Sequence, residues 1–265
     1  MTSMPRVDNY VPKKNMRKTV KGTFIARSNK GLVRTNNEDV ASVVVNAHND
    51  VLLIVADGMG GYNRGDYAAK VAVETVVKLF KDTSFFLTAS SVTHFLRRAV
   101  IKANKIIYAE SQKDEASKDM GTTIVAAIIH RNKLTVLNIG DSRAYRFMNE
   151  KLEQLSEDHS YIAYLLRTNQ ITPEEAKTDP RRHAVINALG NIPSCNMDIK
   201  KYPYNGEKIL LCSDGLYNAL EPIDIETILK LNDNTEQKAN MLISLANHRG
   251  GEDNVAVALW EASND

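Results

Sequence analysis

Val51-Leu52-Leu53-Ile54-Val55-Ala56, running straight into Asp57-Gly58-Met59-Gly60-Gly61, is the stretch on which the fold turns. It reads as a buried strand that ends on an acid and a glycine-rich turn. The pattern recurs. Ile209-Leu210-Leu211-Cys212 leads into Ser213-Asp214-Gly215, and Glu252-Asp253-Asn254 leads into Val255-Ala256-Val257-Ala258-Leu259-Trp260. A fourth acidic cluster is Asn37-Glu38-Asp39. If these strands lie side by side, their carboxylates meet at one sheet edge, and a divalent cation would remove the repulsion between them.

Working outward, residues 41–45 and 51–56 form two strands around the turn 46–50. Ala69, Ala72, Val73, Val76, Val77 and Phe80 recur at three- and four-residue spacing, which predicts a helix over 66–80. Val92, Phe95, Leu96, Ala99, Val100, Ala103, Ile106 and Ile107 predict a second over 91–110. Each has one apolar stripe and a charged back, so each lies on something flat. Strands follow at 122–130, 133–139 and 143–148, and their short links imply antiparallel pairing. Residues 156–200, with Pro173, Pro180 and Pro193, read as short helical pieces over the sheet edge. A strand at 207–213, helices near 222–231 and 235–247, and a last strand at 254–260 complete the order. Strand runs and helix pairs are segregated, which argues an α+β fold.

A chain of 265 residues can be one domain, here placed at 21–262 behind a mobile basic tail at 1–20 that carries Lys13, Lys14, Arg17 and Lys18. The net charge of +2, from 34 basic and 32 acidic residues, carries no global footprint for nucleic acid. Cys195 and Cys212 are too few for a disulfide framework, and a reducing, cytoplasmic setting is expected. No apolar run approaches the ~20 residues of a membrane span, and the first residues lack the core of a secretory signal.

The candidate ligands are all oxygen donors without zinc-type Cys/His spacing, which favours Mg²⁺ or Mn²⁺. A single acidic cluster of this kind is usually only a turn, as an Asp-Gly pair is, but three such clusters at the ends of strong strands are poorly explained that way. Gly58-Met59-Gly60-Gly61-Tyr62-Asn63-Arg64-Gly65 lacks the Lys-Ser/Thr of a P-loop and the third glycine of a dinucleotide fingerprint. No arginine follows Cys212 to hold a phosphate, and no serine sits in a Gly-x-Ser-x-Gly elbow. What remains is a two-metal hydrolase, with ions roughly 3.5–4 Å apart and hydroxide as the nucleophile.

Arg34-Thr35-Asn36-Asn37-Glu38-Asp39, Asp57-Gly58-Met59-Gly60-Gly61, Gly121-Thr122-Thr123, Gly140-Asp141-Ser142-Arg143, Cys212-Ser213-Asp214-Gly215 and Gly251-Glu252-Asp253-Asn254 stand in one order. In that order they resemble the protein phosphatase 2C family of metal-dependent Ser/Thr phosphatases, particularly its bacterial members, over roughly residues 22–260. The resemblance implies a central antiparallel β-sandwich flanked on both faces by pairs of helices, with a metal cleft at one end. By that resemblance Asp57 bridges two ions, the Gly58 carbonyl completes the second ion's shell, and Asp214 and Asp253 hold the first. Glu38 and Asp39 orient waters, Asp141 helps hold a weaker third ion, and Arg34 grips the substrate phosphate. The implied partners are phosphorylated proteins and an opposing Ser/Thr kinase, with neither nucleic acid nor membrane, and the chain is expected to be a monomer.

The other motifs have blander expectations. Gly121-Thr122-Thr123 opens a strand, and Arg143 pairs with a nearby acid. Histidines 48, 94, 130 and 248 are surface or core residues. Met59 stands where eukaryotic relatives often have histidine, so the general acid is either His159 or a metal-bound water. Asn187 occupies a place where relatives commonly carry Arg or Lys, which puts the flap's usual contacts in question. Two rival functions are a non-catalytic binding module, disfavoured because every ligand position stays acidic, and a nuclease using the basic tail, disfavoured because a few basic residues on a mobile end are usually just solvated.

Overall fold

The computed structural model describes residues 21–60, 64–182 and 184–263. The run 51–56 fails to alternate because both of its faces are covered. In β3 (Val51–Met59), Leu52, Ile54 and Ala56 join a core beneath two helices, whereas Val51, Leu53 and Val55 join a second core between two sheets. Complete burial of such side chains contributes about 1.5–3 kcal/mol each.

One sheet has the order β1-β11-β10-β7-β8, built from β1 (Gly22–Asn29), β11 (Val255–Ala262), β10 (Lys208–Cys212), β7 (Arg143–Met148) and β8 (Lys151–Gln154). The other runs β2-β3-β5-β6-β9, with β2 (Asp39–Val45), β5 (Ile124–His130), β6 (Lys133–Ile139) and β9 (Asp198–Pro203); the short β4 (Gly121–Thr122) pairs with β3. Every pairing is antiparallel. The space between the sheets is filled from both sides, by Val125, Ala127 and Ile129 of β5 and by Ile209, Leu211, Ala256, Ala258 and Trp260 of the other sheet.

Outside the second sheet lie α1 (Gly65–Lys81) and α2 (Ala89–Ser111), whose stripes pack on the outward residues of β3 and β5. Thr88 starts α2 by accepting from the Ser91 amide in a reciprocal capping box. Outside the first sheet lie α6 (Pro222–Lys230) and α7 (Thr235–His248), sealed over Leu210, Val257 and Leu259. These layers are the antiparallel sandwich with flanking helix pairs that the family resemblance implies.

Between β8 and β9 the chain forms a flap with α3 (Tyr161–Arg167) and α4 (Pro173–Thr178), held by a small core of Ile162, Leu165 and Ala176. Beyond the expected elements the fold contains β1, β8 and β9, which are edge strands, and the turn of helix α5 (Asp214–Tyr217). The strand expected over 122–130 is divided at Thr123 between β4 and β5. The proposed tail at 1–20 lies outside the described residues.

Candidate active site

The antiparallel order brings the end of β3, the end of β10 and the start of β11 to the same edge of the sandwich. There a cleft of about 630 Å³ is lined by Arg34, Glu38, Asp57, Gly58, Asp141, Asp214 and Asp253. Asp39 sits behind this wall, 4% exposed, and its Oδ2 accepts a 2.6 Å hydrogen bond from the Ser213 hydroxyl.

Each acid is fixed by its backbone. Asp57 lies in β3 directly opposite Asp39 of β2. Its amide donates to Thr123 Oγ1 at 3.0 Å, and its carbonyl accepts from the Thr123 amide at 2.9 Å and the Thr122 hydroxyl at 2.9 Å. Gly121-Thr122-Thr123 therefore opens a strand, as expected, and also clamps Asp57. Gly58 tolerates no side chain, since a Cβ would collide with the carbonyls of Gly65 and Glu38. Asp214 opens α5 directly after β10, and Asn218 donates to its Oδ2 at 3.1 Å.

Asn254 ties the remaining pieces together. Its Oδ1 accepts from the Glu38 amide at 2.8 Å, and its Nδ2 donates to the carbonyls of Lys30 and Asn36, each at 2.8 Å. The loop carrying Arg34 and Glu38 is thus fastened to the start of β11. Thr123, Ser213 and Asn254 were not picked out from the sequence as holding residues. Ser213 and Asn254 do stand next to Asp214 and Asp253, which is the signal that could have found them.

Crowding of like charges shows in the proton affinities. Burial pushes Asp39 up to about 8, with Asp214 and Asp253 adding to the shift and Ser213 opposing it. Burial also drives Asp57 well above the usual carboxylate range, helped by Asp39, Asp214 and Asp141. Asp141 rises to about 7, from burial first and then from Asp214 and Asp158. Glu38 is raised by burial and by Asp66.

Two arginines line the cleft, and each faces a carboxylate. Arg34 donates to Asp253 at 2.8 Å, and Arg249 forms two bonds to Asp224 at 2.6 and 2.7 Å. Arg143 does pair with an acid, making a fork to Asp158 with its shortest contact at 2.6 Å. His159 is not among the cleft-lining residues. Its Nδ1 accepts from Asn187 Nδ2 at 2.8 Å and from the Gly140 amide at 3.3 Å, and its Nε2 faces Asp198 at 3.2 Å. Asn187 thus acts as a neutral donor at the root of the flap, also reaching the Asn196 carbonyl at 2.8 Å.

Among the described residues no group of three His, Cys, Asp or Glu side chains is already gathered as an ion cage. The donor set nonetheless fits hard divalent ions: carboxylates from four separate segments share one cleft, Asp141, Asp214 and Asp253 add to the burial that raises Asp57, and no lysine lines the wall.

The family profile described as Protein phosphatase 2C matches residues 32–246. The serine/threonine phosphatase stp of Listeria welshimeri is 41% identical over 238 residues, covering 89% of this chain and 94% of that protein. The crystal structure of the serine/threonine phosphatase Stp1 from Staphylococcus aureus superimposes with a TM-score of 0.88 at 29% identity, over 96% of this chain and 100% of that one. The catalytic domain of the phosphatase PstP in complex with two manganese ions matches with a TM-score of 0.82 at 31% identity, over 93% and 100%. Fold, motif order and these likenesses agree, and the chain belongs to the protein phosphatase 2C family as a bacterial-type, metal-dependent serine/threonine protein phosphatase.

Proposed function

We propose that this phosphatase binds two divalent ions, Mn²⁺ or Mg²⁺, through Asp57, the Gly58 carbonyl, Asp214 and Asp253, with Asp141 contributing to a weaker third. Its substrates on this reading are phosphoserine and phosphothreonine in proteins, including the targets of a Ser/Thr kinase. The supporting observation is the meeting of Asp57, Asp141, Asp214 and Asp253 on one cleft that Arg34 also lines.

When bound, such ions acidify a water and neutralise charge on the phosphoryl group. Arg34 supplies the protein's own cation. Its planar fork suits two phosphate oxygens, so an incoming phosphate replaces Asp253 as its partner. Glu38, which lines the cleft, and Asp39, just behind its wall with a carboxylate that Ser213 holds in place, are assigned to orienting water bound to the ions. We assign residues 21–262 to one catalytic domain, acting as a monomer in the cytoplasm. Among the described residues no helix is long and apolar enough to cross a membrane.

The test is phosphate release from a phosphothreonine peptide with Mn²⁺, with and without chelator, beside an oligonucleotide control. Chelator-sensitive release from the peptide supports the reading. Release from the oligonucleotide alone, or none from either, overturns it.

A further inference from the structure

Asp141 is the middle residue of the three-residue link Gly140-Asp141-Ser142 between β6 and β7, and neighbouring groups fasten that link from three sides. Gly140, at φ +102°, is held by the flap root: its amide donates to His159 Nδ1 at 3.3 Å, and its carbonyl accepts from the His159 amide at 2.9 Å and from Asn138 Nδ2 at 2.9 Å. Ser142 Oγ meets Thr123 Oγ1 at 2.7 Å. The carbonyl of Asp141 itself accepts from the Tyr217 hydroxyl at 3.1 Å.

Tyr217 lies on α5, three residues after Asp214, and its ring is clamped in turn. The Arg143 guanidinium sits 3.5 Å from the ring centroid and forks onto Asp158, whose Oδ1 also accepts from Gln154 at 2.9 Å. Burial, with Asp141 and Asp214 nearby, holds the phenol protonated, so it donates to the carbonyl. A cation over an aromatic face that is also paired to a carboxylate has little freedom to move.

We infer that Tyr217 and Arg143 are positioning residues for Asp141: the phenol holds the Asp141 backbone, the guanidinium pins the ring to Asp158, and α5 and the flap root together set where the Asp141 carboxylate stands. The inference rests on Asp141 serving the weakly held ion proposed above. It goes further, because it makes occupancy of that ion depend on two side chains that coordinate nothing. Asp158 and His159 are consecutive, so displacement of the flap root would be felt at Asp141 through both.

The test is a Mn²⁺ binding isotherm, read as free Mn²⁺ by electron paramagnetic resonance, on the full chain and on Tyr217→Phe, Arg143→Lys and Asp141→Asn. Tyr217→Phe keeps the ring beneath Arg143 and removes only the hydroxyl. It should leave the tight sites unchanged and weaken the weak site roughly three- to tenfold, as expected for one lost neutral hydrogen bond. The Mn²⁺ needed for half-maximal peptide dephosphorylation should rise in step, while kcat at saturating Mn²⁺ recovers. Arg143→Lys should shift the isotherm in the same direction, and it carries the test if Tyr217→Phe folds poorly. An unchanged isotherm in both, with the weak site lost in Asp141→Asn, overturns the positioning role alone. Retention of the weak site in Asp141→Asn overturns the Asp141 assignment and the positioning role with it.

Discussion

Asp39 and Asp57 face each other as direct cross-strand partners between β2 and β3, two carboxylates where a sheet normally tolerates one. Burial raises both, Asp39 to about 8. The folded chain therefore keeps protons that the unfolded chain has already released, and stability must fall as pH rises through the interval between the two affinities.

With chelator present, the melting temperature should decline from about pH 5 to about pH 8, and Mn²⁺ should restore most of the loss at the upper end. Thermal melts at several pH values, with and without Mn²⁺, check this. A chelated protein equally stable across that range would show that burial does not hold these carboxyls protonated.

Arg34→Ala should raise KM more than it lowers kcat, because phosphate is held in the ground state and the transition state alike. The lost charge-assisted contact should cost about 1.5–3 kcal/mol in kcat/KM. It also releases Asp253 from its 2.8 Å partner, so Mn²⁺ affinity should rise or hold while phosphate affinity falls. Steady-state kinetics with a phosphothreonine peptide decide it, and an unchanged kcat/KM would return Arg34 to the solvated surface.

Asn254→Ala should be strongly destabilising for one polar side chain. Three backbone groups, the Glu38 amide and the carbonyls of Lys30 and Asn36, lose their partner at a position that is 7% exposed. Each unsatisfied group costs about 1–3 kcal/mol unless water reaches it. Urea denaturation measures the loss. A midpoint equal to wild type would mean that the Arg34 loop is not anchored there.

The central strands were legible because burial leaves an unbroken apolar run. Val51 to Ala56 and Val255 to Trp260 are covered on both faces, and the acids beside them could be read from position alone. β1 was not legible, since Gly22–Asn29 pairs on one side only and keeps most of its side chains in water. β9 was hidden likewise by Lys200 and Lys201 at an open edge. At the site, sequence order singled out the carboxylates. It could not show that Asp39 lies behind the cleft wall, or that Tyr217 reaches the Asp141 carbonyl, because both depend on contacts between segments far apart in the chain.

The most direct test compares Mn²⁺-dependent phosphate release from a phosphothreonine peptide by the wild-type chain and by Asp57→Asn, with circular dichroism confirming that the variant is folded. The expected result is that release by Asp57→Asn falls more than roughly a hundredfold, beyond the loss usual for a residue one step removed from a metal, while the fold is kept. Release within tenfold of wild type by a folded Asp57→Asn would contradict it.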